Sequence, residues 1–554
     1  MTQENEPKIV SRRTFLKKAA AVSVGTAAVG VLAGCAPKTL QETEAPTTSL
    51  TEEIKWDKEV DVVVVGSGTG IFAALSAKNA GAESVLVIEK NVAFGGTSAM
   101  SGGGFWLPMN FRMKEEGIED NREDAIKYLK TVSDGQSEDV LINAYIDNAN
   151  KFAEWVRDTF GYKWLLNMEA AGNKSYGDYY EEPGFRPYGR TIYLTKEGKW
   201  EYGAGAWQAL KTAAEGLGIE IMLETAGKGL ITNAGGEVIG IRSEGSAGPL
   251  SIKAKKGVVL GTGGFDFNKE MRTTYLRGPI IGSLAVRTNT GDGQIMGMKL
   301  GADLRNMQNL FGLPFFPLDE EKLQGESDPN TYRGKPGMIV VNKYGERIGN
   351  EAAAYHVFNR AFWFWDTGKF EWRNMPAYFI ADSLFAQNWF FPGSNYQQGV
   401  VPEWMVKADT IEELCDKLGI DKAGLKTTLD VFNPNAAEGK DPVWHRGEYQ
   451  FDLNTSVNPY LTQLKNPCLA PIKIGPFYGC AYGPGSFGTN GGLRINENAQ
   501  VMDLNGNPIP RLYAVGNTSG SVMGAAYPGG GSCLGSGSVF GWLAGKHVVG
   551  LESL

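Results

Sequence analysis

The stretch "EVDVVVVGSGTGIFAALSAKNAGAESVLVIEK", Glu59–Lys90, decides the fold class. Val60–Val65 is a β-branched run of the kind that fills a parallel strand buried on both faces. "GSGTG" follows at Gly66–Gly70, then a helical stretch over Ile71–Ala80 and a second strand over Ser84–Ile88 that ends at Glu89. Strand, glycine turn, helix and strand in that order form the context a dinucleotide fingerprint needs. Gly66 makes the tight turn, and Gly68 lets a pyrophosphate approach backbone N–H groups at the positive end of a helix. Glu89 is placed to accept from a ribose hydroxyl. The third glycine position of the motif is filled by Ile71, so helix–strand packing is expected to loosen, with Gly70 as the residue that can compensate.

The rest of the chain bounds this reading. Its 554 residues are too many for one compact core, and about 100–200 residues per domain implies two or three. With 42% hydrophobic and 21% charged residues the composition is globular. The net charge of -8 argues against a nucleic-acid partner. No internal stretch reaches the roughly 20 apolar residues of a membrane span. The 73 glycines point to tight turns and close approach of backbone to a ligand. Cys35, Cys415, Cys468, Cys480 and Cys533 form no CxxC or CxxCH motif, and His356, His445 and His547 have no metal-site spacing. No metal or covalent haem is expected.

The N-terminus reads "SRRTFLKKAAAVSVGTAAVGVLAGCAPK". Arg12 and Arg13, followed by a small apolar run from Ala19 to Gly34, resemble a twin-arginine export signal. "LAGC" at Leu32–Cys35 resembles a lipoprotein processing box with Cys35 as the lipidated residue. Residues 1–35 are therefore read as an address and 36–57 as a polar linker. The protein is expected to be exported, extracytoplasmic and tethered to a membrane through Cys35.

The identity of the dinucleotide comes from "NVAFGGTSAMSGGGFWLP", Asn91–Pro108. Glu89 and Lys90 followed by "FGGTSAMSGGG" resemble the flavoprotein family of fumarate reductases and 3-ketosteroid dehydrogenases. In that family this loop wraps FAD. The resemblance implies cofactor contacts at Gly66, Gly68, Gly70, Glu89, Lys90, Gly95, Gly96, Thr97, Ser98, Ser101, Gly102 and Gly103. "GVVLGTGGFDFN", Gly257–Asn268, is similar to the second FAD-contacting strand and turn, which adds Thr262 and Gly263. "TNTGDG", Thr288–Gly293, is similar to the flavin-side loop and adds Asp292. "RLYAVGNTSGSVMGAAYPGGGSCLG", Arg511–Gly535, resembles the C-terminal flavin motif and adds Gly516, Asn517, Ser532 and Leu534. The implied fold is α/β: a Rossmann-type FAD-binding domain in two pieces, 58–305 and 488–554, with an inserted α+β substrate-capping domain, 306–487.

"RIGNEAAAYHVFNR", Arg347–Arg360, reads locally as a helix start with Asn350 as cap and Glu351 in the first turn. In fumarate reductases of the family the slot five residues after that asparagine carries a proton-delivering arginine. In the ketosteroid enzymes it is tyrosine, and here it is Tyr355. Chemistry separates the two. A dicarboxylate calls for guanidinium forks. A neutral enone calls for a weak acid or base beside one carbon and donors on its oxygen. By the same resemblance Tyr527 in "AAYPGGGS" is the carbonyl-holding tyrosine, and Gly531 gives the partner backbone N–H. Tyr179 in "GDYYEE" is the proton-relay partner of Tyr355, with Tyr180 as the alternative. "FGTNGG", Phe487–Gly492, lacks the histidine of the dicarboxylate enzymes. Arg186 and Arg190 are expected to pair with Glu181 and Glu182, His356 to be a satisfied helix residue and Cys533 a packing residue. Pocket walls are expected from the loops Arg305–Pro317 and Ala361–Trp372.

The resemblance implies an FAD-dependent oxidoreductase that moves a hydride between flavin N5 and a carbon of a C–C bond next to a ketone. The proton passes through Tyr355 and Tyr179, while Tyr527 and Gly531 hold the enolate oxygen. The substrate is a small apolar ketone. A membrane quinol or cytochrome is the expected electron partner, since an exported enzyme has no cytoplasmic NADH. Enone reduction is favoured slightly over steroid-type dehydrogenation. A respiratory reductase of fumarate or another unsaturated acid is disfavoured by Tyr355 and Tyr527. A flavin-carrying electron-transfer protein without a substrate pocket would leave the three tyrosines unexplained.

Overall fold

A computed structural model describes residues 54–171, 177–318, 332–456 and 461–550. The export motif at Arg12 and Arg13, Cys35 and all but the end of the 36–57 linker lie outside these residues.

The Lys58–Val65 strand pairs in parallel with Val85–Ile88 on one side and Gly248–Leu260 on the other. Val62, Val63 and Val64 are wholly buried, as a β-branched run covered on both faces must be. The sheet has eight strands. Its parallel core continues to Glu220–Met222 beyond Val85–Ile88 and to Pro508–Ala514 beyond Gly248–Leu260. The antiparallel strands Ala226–Thr232 and Val238–Gly245 fold off Gly248–Leu260. Chain order thus runs outward in one direction from Lys58–Val65 and later resumes on its other side. The break lies between Val65 and Leu260, and ligands of open α/β sheets bind at the carboxyl ends of strands at such a switch point.

The expected helix is Gly70–Asn79, and all of it is buried except Lys78 and Asn79. It lies between the sheet and the final helix, Ser532–Val548. Gly537, Gly541 and Gly545 recur every fourth residue and so share one helix face. A Cβ on Gly537 would stand 2.7 Å from Thr69 Oγ1, and one on Gly545 2.4 Å from the Ala73 carbonyl oxygen. The loosening expected from Ile71 does not occur. The close approach is made one residue earlier, where a Cβ on Gly261 would lie 3.1 Å from Gly70 Cα.

A second, six-stranded sheet is organised on the long Phe477–Thr489 strand. That strand pairs with Leu310–Phe315, Ala377–Ala381 and Val406–Ala408 antiparallel, and with Gly282–Ser283 in parallel. Leu310–Phe315, expected within a loop, is therefore a strand. A fully buried carboxylate, Asp266, joins this sheet to the turn after Gly248–Leu260: it accepts from Ser283 Oγ at 2.9 Å, Ser486 Oγ at 2.5 Å and the Thr489 N–H at 3.1 Å. The described residues from Lys55 onward pack as one compact unit.

The helix expected to start at Asn350 starts at Tyr355 and runs to Asn359. Asn350 Oδ1 instead accepts from the Ala352 N–H at 2.9 Å, closing a turn, and its Nδ2 donates to Asp452 at 2.8 Å. Glu351 is fully buried and accepts from Arg347 Nε at 2.9 Å and from the Val340 N–H at 3.1 Å. It is an anchor of the second sheet rather than a first-turn helix residue.

Candidate functional site

The cofactor cradle is built at the switch point. Gly66 has φ of 102°, and a Cβ there would lie 2.2 Å from the Gly261 carbonyl oxygen. The two glycine turns that follow Val65 and Leu260 are thus in contact, which no side chain at Gly66 would allow. Glu89, at the end of the neighbouring strand, is buried. Its Oε2 accepts from the Ser67 N–H at 2.9 Å and Ser67 Oγ at 2.6 Å, and its Oε1 from the Asn91 N–H at 2.8 Å. An ionised carboxylate has about four acceptor sites, which leaves capacity for a ribose hydroxyl. Ser67 Oγ also accepts from the Gly95 N–H at 2.7 Å. Trp207 Nε1 donates to the carbonyls of Ser67 and Gly68 at 3.2 and 3.1 Å. Sequence reasoning passed over both residues; they tie the first turn to the Asn91–Pro108 loop and no motif announces them.

The other expected cofactor positions gather around this cradle. Gly95 and Gly103 have positive φ and no room for a Cβ, whereas Gly96 and Gly102 have nothing within 4 Å. Thr97 Oγ1 accepts from the Val286 N–H at 3.1 Å, and Ser101 Oγ donates to the Ser98 carbonyl at 2.7 Å. Lys90 Nζ reaches Thr290 Oγ1 at 2.7 Å, Asp292 at 2.9 Å and the Thr288 carbonyl at 3.3 Å. An ammonium has three hydrogens, so these contacts use them all and lock Lys90 to Asp292. Gln294 Nε2 bridges the carbonyls of Gly263 and Asn517 at 3.1 and 2.8 Å, and Thr262 Oγ1 meets Thr518 Oγ1 at 3.2 Å. Gly516, with φ of 60°, packs on Thr69. Ser532 Oγ donates to the Gly529 carbonyl at 2.6 Å, and Leu534 is buried. The Cys533 thiol donates to Asn517 Oδ1 at 3.2 Å, and burial pushes it up to about 12. A glycine-lined turn, a helix start and an acid at the adjacent strand end fit the phosphates and ribose of FAD.

Beside the cradle stands an aromatic cluster. Tyr355, the first helical residue, and Tyr527 are buried with ring centroids 5.7 Å apart. Phe487 lies 5.1 Å from Tyr355 and 6.2 Å from Tyr527, and Phe311 lies 5.5 Å from Tyr527. Phe311 comes from the Leu310–Phe315 strand, inside the expected wall segment. In the other segment Phe364, Trp365 and Phe370 are exposed and Phe362 is core. The Gly531 N–H donates to the Tyr527 hydroxyl at 3.1 Å. Gly531 is the N-cap of the 17-residue Ser532–Val548 helix, in the left-handed region at φ 87°. The positive end of that helix therefore lies at the same place.

Tyr179 donates its hydroxyl to the Tyr527 carbonyl at 2.7 Å. Burial, reinforced by Tyr527 and opposed by Arg360, pushes this phenol far above its ordinary range, so it stays protonated. A proton relay through Tyr179 requires that hydroxyl to turn away from the carbonyl. Arg186 and Arg190 do not pair with Glu181 and Glu182. Arg186 pairs with Asp124 at 2.7 Å, and buried Arg190 pairs with Asp120 at 2.7 Å and Asp178 at 2.6 Å. Asp178, pushed up to about 6 by burial, also accepts from Trp106 Nε1 at 2.7 Å. His356 is satisfied on both sides: Nδ1 accepts from the Gly312 N–H at 3.0 Å and Nε2 donates to the Ala525 carbonyl at 2.9 Å.

A family model described as FAD binding domain matches residues 61–534. The 3-oxosteroid 1-dehydrogenase of Mycolicibacterium smegmatis is 32% identical over 89% of this chain and 97% of its own length. The digoxin reductase of Eggerthella lenta is 30% identical over 98% of this chain and 97% of its own. Among solved structures, 3-ketosteroid Δ1-dehydrogenase from Sterolibacterium denitrificans in complex with 1,4-androstadiene-3,17-dione is 30% identical. It superposes with a TM-score of 0.80, covering 89% of this chain and 99% of that one.

Proposed function

From the premise that this chain belongs to the FAD binding domain family, we propose that its reacting bond is a C–C bond conjugated to the ketone of an apolar, steroid-like substrate. The protein is a FAD-dependent oxidoreductase acting on C–C and C=C bonds. The observation that carries the ketone reading is the convergence of the Tyr527 hydroxyl and the Gly531 N–H, 3.1 Å apart. The Gly531 N–H spends its hydrogen on that phenol in this structure, so a ketone oxygen seated between the two takes the N–H over from Tyr527 and accepts from both.

When bound, FAD supplies the two-electron hydride chemistry. The chain supplies the rest. Tyr527 and Gly531 hold the oxygen on which negative charge grows, aided by the positive end of the Ser532–Val548 helix. Tyr355 exchanges the proton with the neighbouring carbon, and Tyr179 passes it on once its hydroxyl turns from the Tyr527 carbonyl. A phenol with an ordinary value of about 10 is a poor base at neutral pH, so Tyr355 works through such a relay or as an acid. Phe311 and Phe487 offer flat apolar walls and exclude water. Tyrosine at 355 and 527 and the absence of histidine from Phe487–Gly492 disfavour a dicarboxylate substrate.

In the proposed direction the enzyme reduces an enone, taking electrons from a membrane quinol-linked cytochrome. It is exported through the Arg12–Arg13 signal and tethered by Cys35. The likeness to a digoxin reductase supports reduction, and the likeness to a 3-oxosteroid 1-dehydrogenase supports the same residues working in reverse.

The test is anaerobic. Holoenzyme reduced with dithionite should be reoxidised by a steroid enone and not by fumarate. Tyr355→Phe should slow that step by roughly 10²–10⁴-fold and Tyr527→Phe by roughly 10²–10³-fold. Only the second should weaken binding of ketone product analogues. Faster reoxidation by fumarate than by any enone overturns the proposal.

A further inference from the structure

Every carbonyl from Tyr527 to Gly531 has a protein donor. Tyr179 Oη serves Tyr527 at 2.7 Å, and Tyr128 Oη serves Pro528. Ser532 Oγ serves Gly529 and Thr191 Oγ1 serves Gly530, both at 2.6 Å, and the Trp106 N–H serves Gly531 at 3.1 Å. Buried carbonyls need partners, but neighbouring backbone is the usual source. Here three of the donors are hydroxyls sent in from separate elements. Tyr128 lies in the Arg122–Val132 helix and Thr191 begins the Thr191–Thr195 strand. Tyr179 lies in the segment between them.

Tyr128 has a second connection. Its hydroxyl accepts from the Tyr179 N–H at 2.8 Å. One oxygen atom therefore joins the backbone of Tyr179 to the loop that presents Tyr527 and Gly531. The ring is fixed as well: it is wholly buried, 6.0 Å from the Trp106 ring, with the Arg190 guanidinium 5.4 Å from its centroid. Arg190 is itself clamped between Asp120 and Asp178. Nor can the loop drift towards Trp106, because a Cβ on Gly529 would already lie 2.6 Å from that ring.

We infer that Tyr128 is a positioning residue for the reaction proposed above: its hydroxyl holds Tyr179 and the Tyr527–Gly531 donor pair in register with each other. Tyr128→Phe keeps the ring and removes the link. A misplacement of about 1 Å remote from the chemistry can cost roughly 10²-fold.

The experiment is a double-mutant cycle on holoenzyme in single turnover with a steroid enone. Tyr128→Phe should keep its FAD and slow the step by roughly 10–100-fold. In a Tyr527→Phe background it should slow it by a clearly smaller factor, because residues acting through one another are not additive. A residue that only supports the fold would give the same factor in both backgrounds. Thr191→Val should follow the Tyr128→Phe pattern and Thr191→Ser should restore the rate, which keeps the test open if Tyr128→Phe does not fold. Equal factors in both backgrounds, or an unaltered Tyr128→Phe or Thr191→Val rate beside a slow Tyr527→Phe, overturn this inference alone. A fully active Tyr527→Phe overturns the ketone reading and this inference with it.

Discussion

Acid should weaken the folded protein through one imidazole. His356 is 5% exposed. A proton on Nδ1 would break its bond from the Gly312 N–H and place a buried charge near Arg360. Burial is the main cause and Arg360 adds to it, while the bond to Ala525 opposes; together they lower His356 from its ordinary 6.5 to about 4. The unfolded chain takes up this proton near pH 6.5, and the folded chain refuses it until about pH 4. The unfolded state therefore binds more protons between those values, so stability falls as the pH falls. The contribution is fully present above about pH 6.5 and is lost by about pH 4. Moving from the ordinary 6.5 to about 4, at 1.36 kcal/mol for each tenfold change in proton affinity, amounts to about 3 kcal/mol. His356→Gln preserves an acceptor and a donor without a titrating group. Denaturant unfolding of wild type and variant should be compared at pH 7, 5.5 and 4, since other groups titrate in both. The stability difference in favour of wild type should shrink by about 3 kcal/mol over that range. A difference that stays constant, or an imidazole resonance of the folded protein titrating near pH 6.5, would refute the argument.

Gly68→Val brings its first added carbon to 3.2 Å from Ser98 Oγ, a tight contact with a side chain rather than with backbone, so a small shift of Ser98 should let the fold survive. The purified protein should nevertheless lose its flavin absorbance, and stoichiometric FAD in the variant would reduce the fingerprint to a turn. Tyr355→Arg restores the dicarboxylate-type residue at one slot only. Without a second arginine at Tyr527 it should not give useful fumarate reduction, and rapid fumarate turnover would sink the two-donor reading. Replacing Arg12 and Arg13 with lysine should leave FAD-loaded protein in the cytoplasm, measured by cell fractionation against wild type.

The parts legible in the sequence are those where local pattern and tertiary role agree. The valine strand, the Gly66 turn, the helix after it and Glu89 all lie within one short segment, and each has its reason there. Elsewhere the deciding partner is remote. Asn350 and Glu351 look like a helix start until Asp452, Arg347 and the Val340 N–H are known to compete for them. Arg190 sits near two glutamates in sequence, yet its partners include Asp120, 70 residues away. Gly312 and Pro314 both argue against a strand, but Leu310–Phe315 is held in one by Phe477–Thr489. The family resemblance named Tyr355, Tyr527 and Gly531, and the structure brings these three together. The hydroxyl contacts behind them, at Tyr128 and Thr191, follow no local rule.

The glycine face of the last helix has a consequence in time. Ser76 Oγ, on the first helix of the dinucleotide unit, donates to the carbonyl of Trp542, 466 residues later. At roughly 5–20 residues per second, synthesis separates the two by roughly 20–90 seconds. Through that interval the Gly70–Asn79 helix has no final partner, and the turn meant for the pyrophosphate has no fixed wall. A chain cut short of Ser532 would lack the glycine face that closes on Thr69 and Ala73.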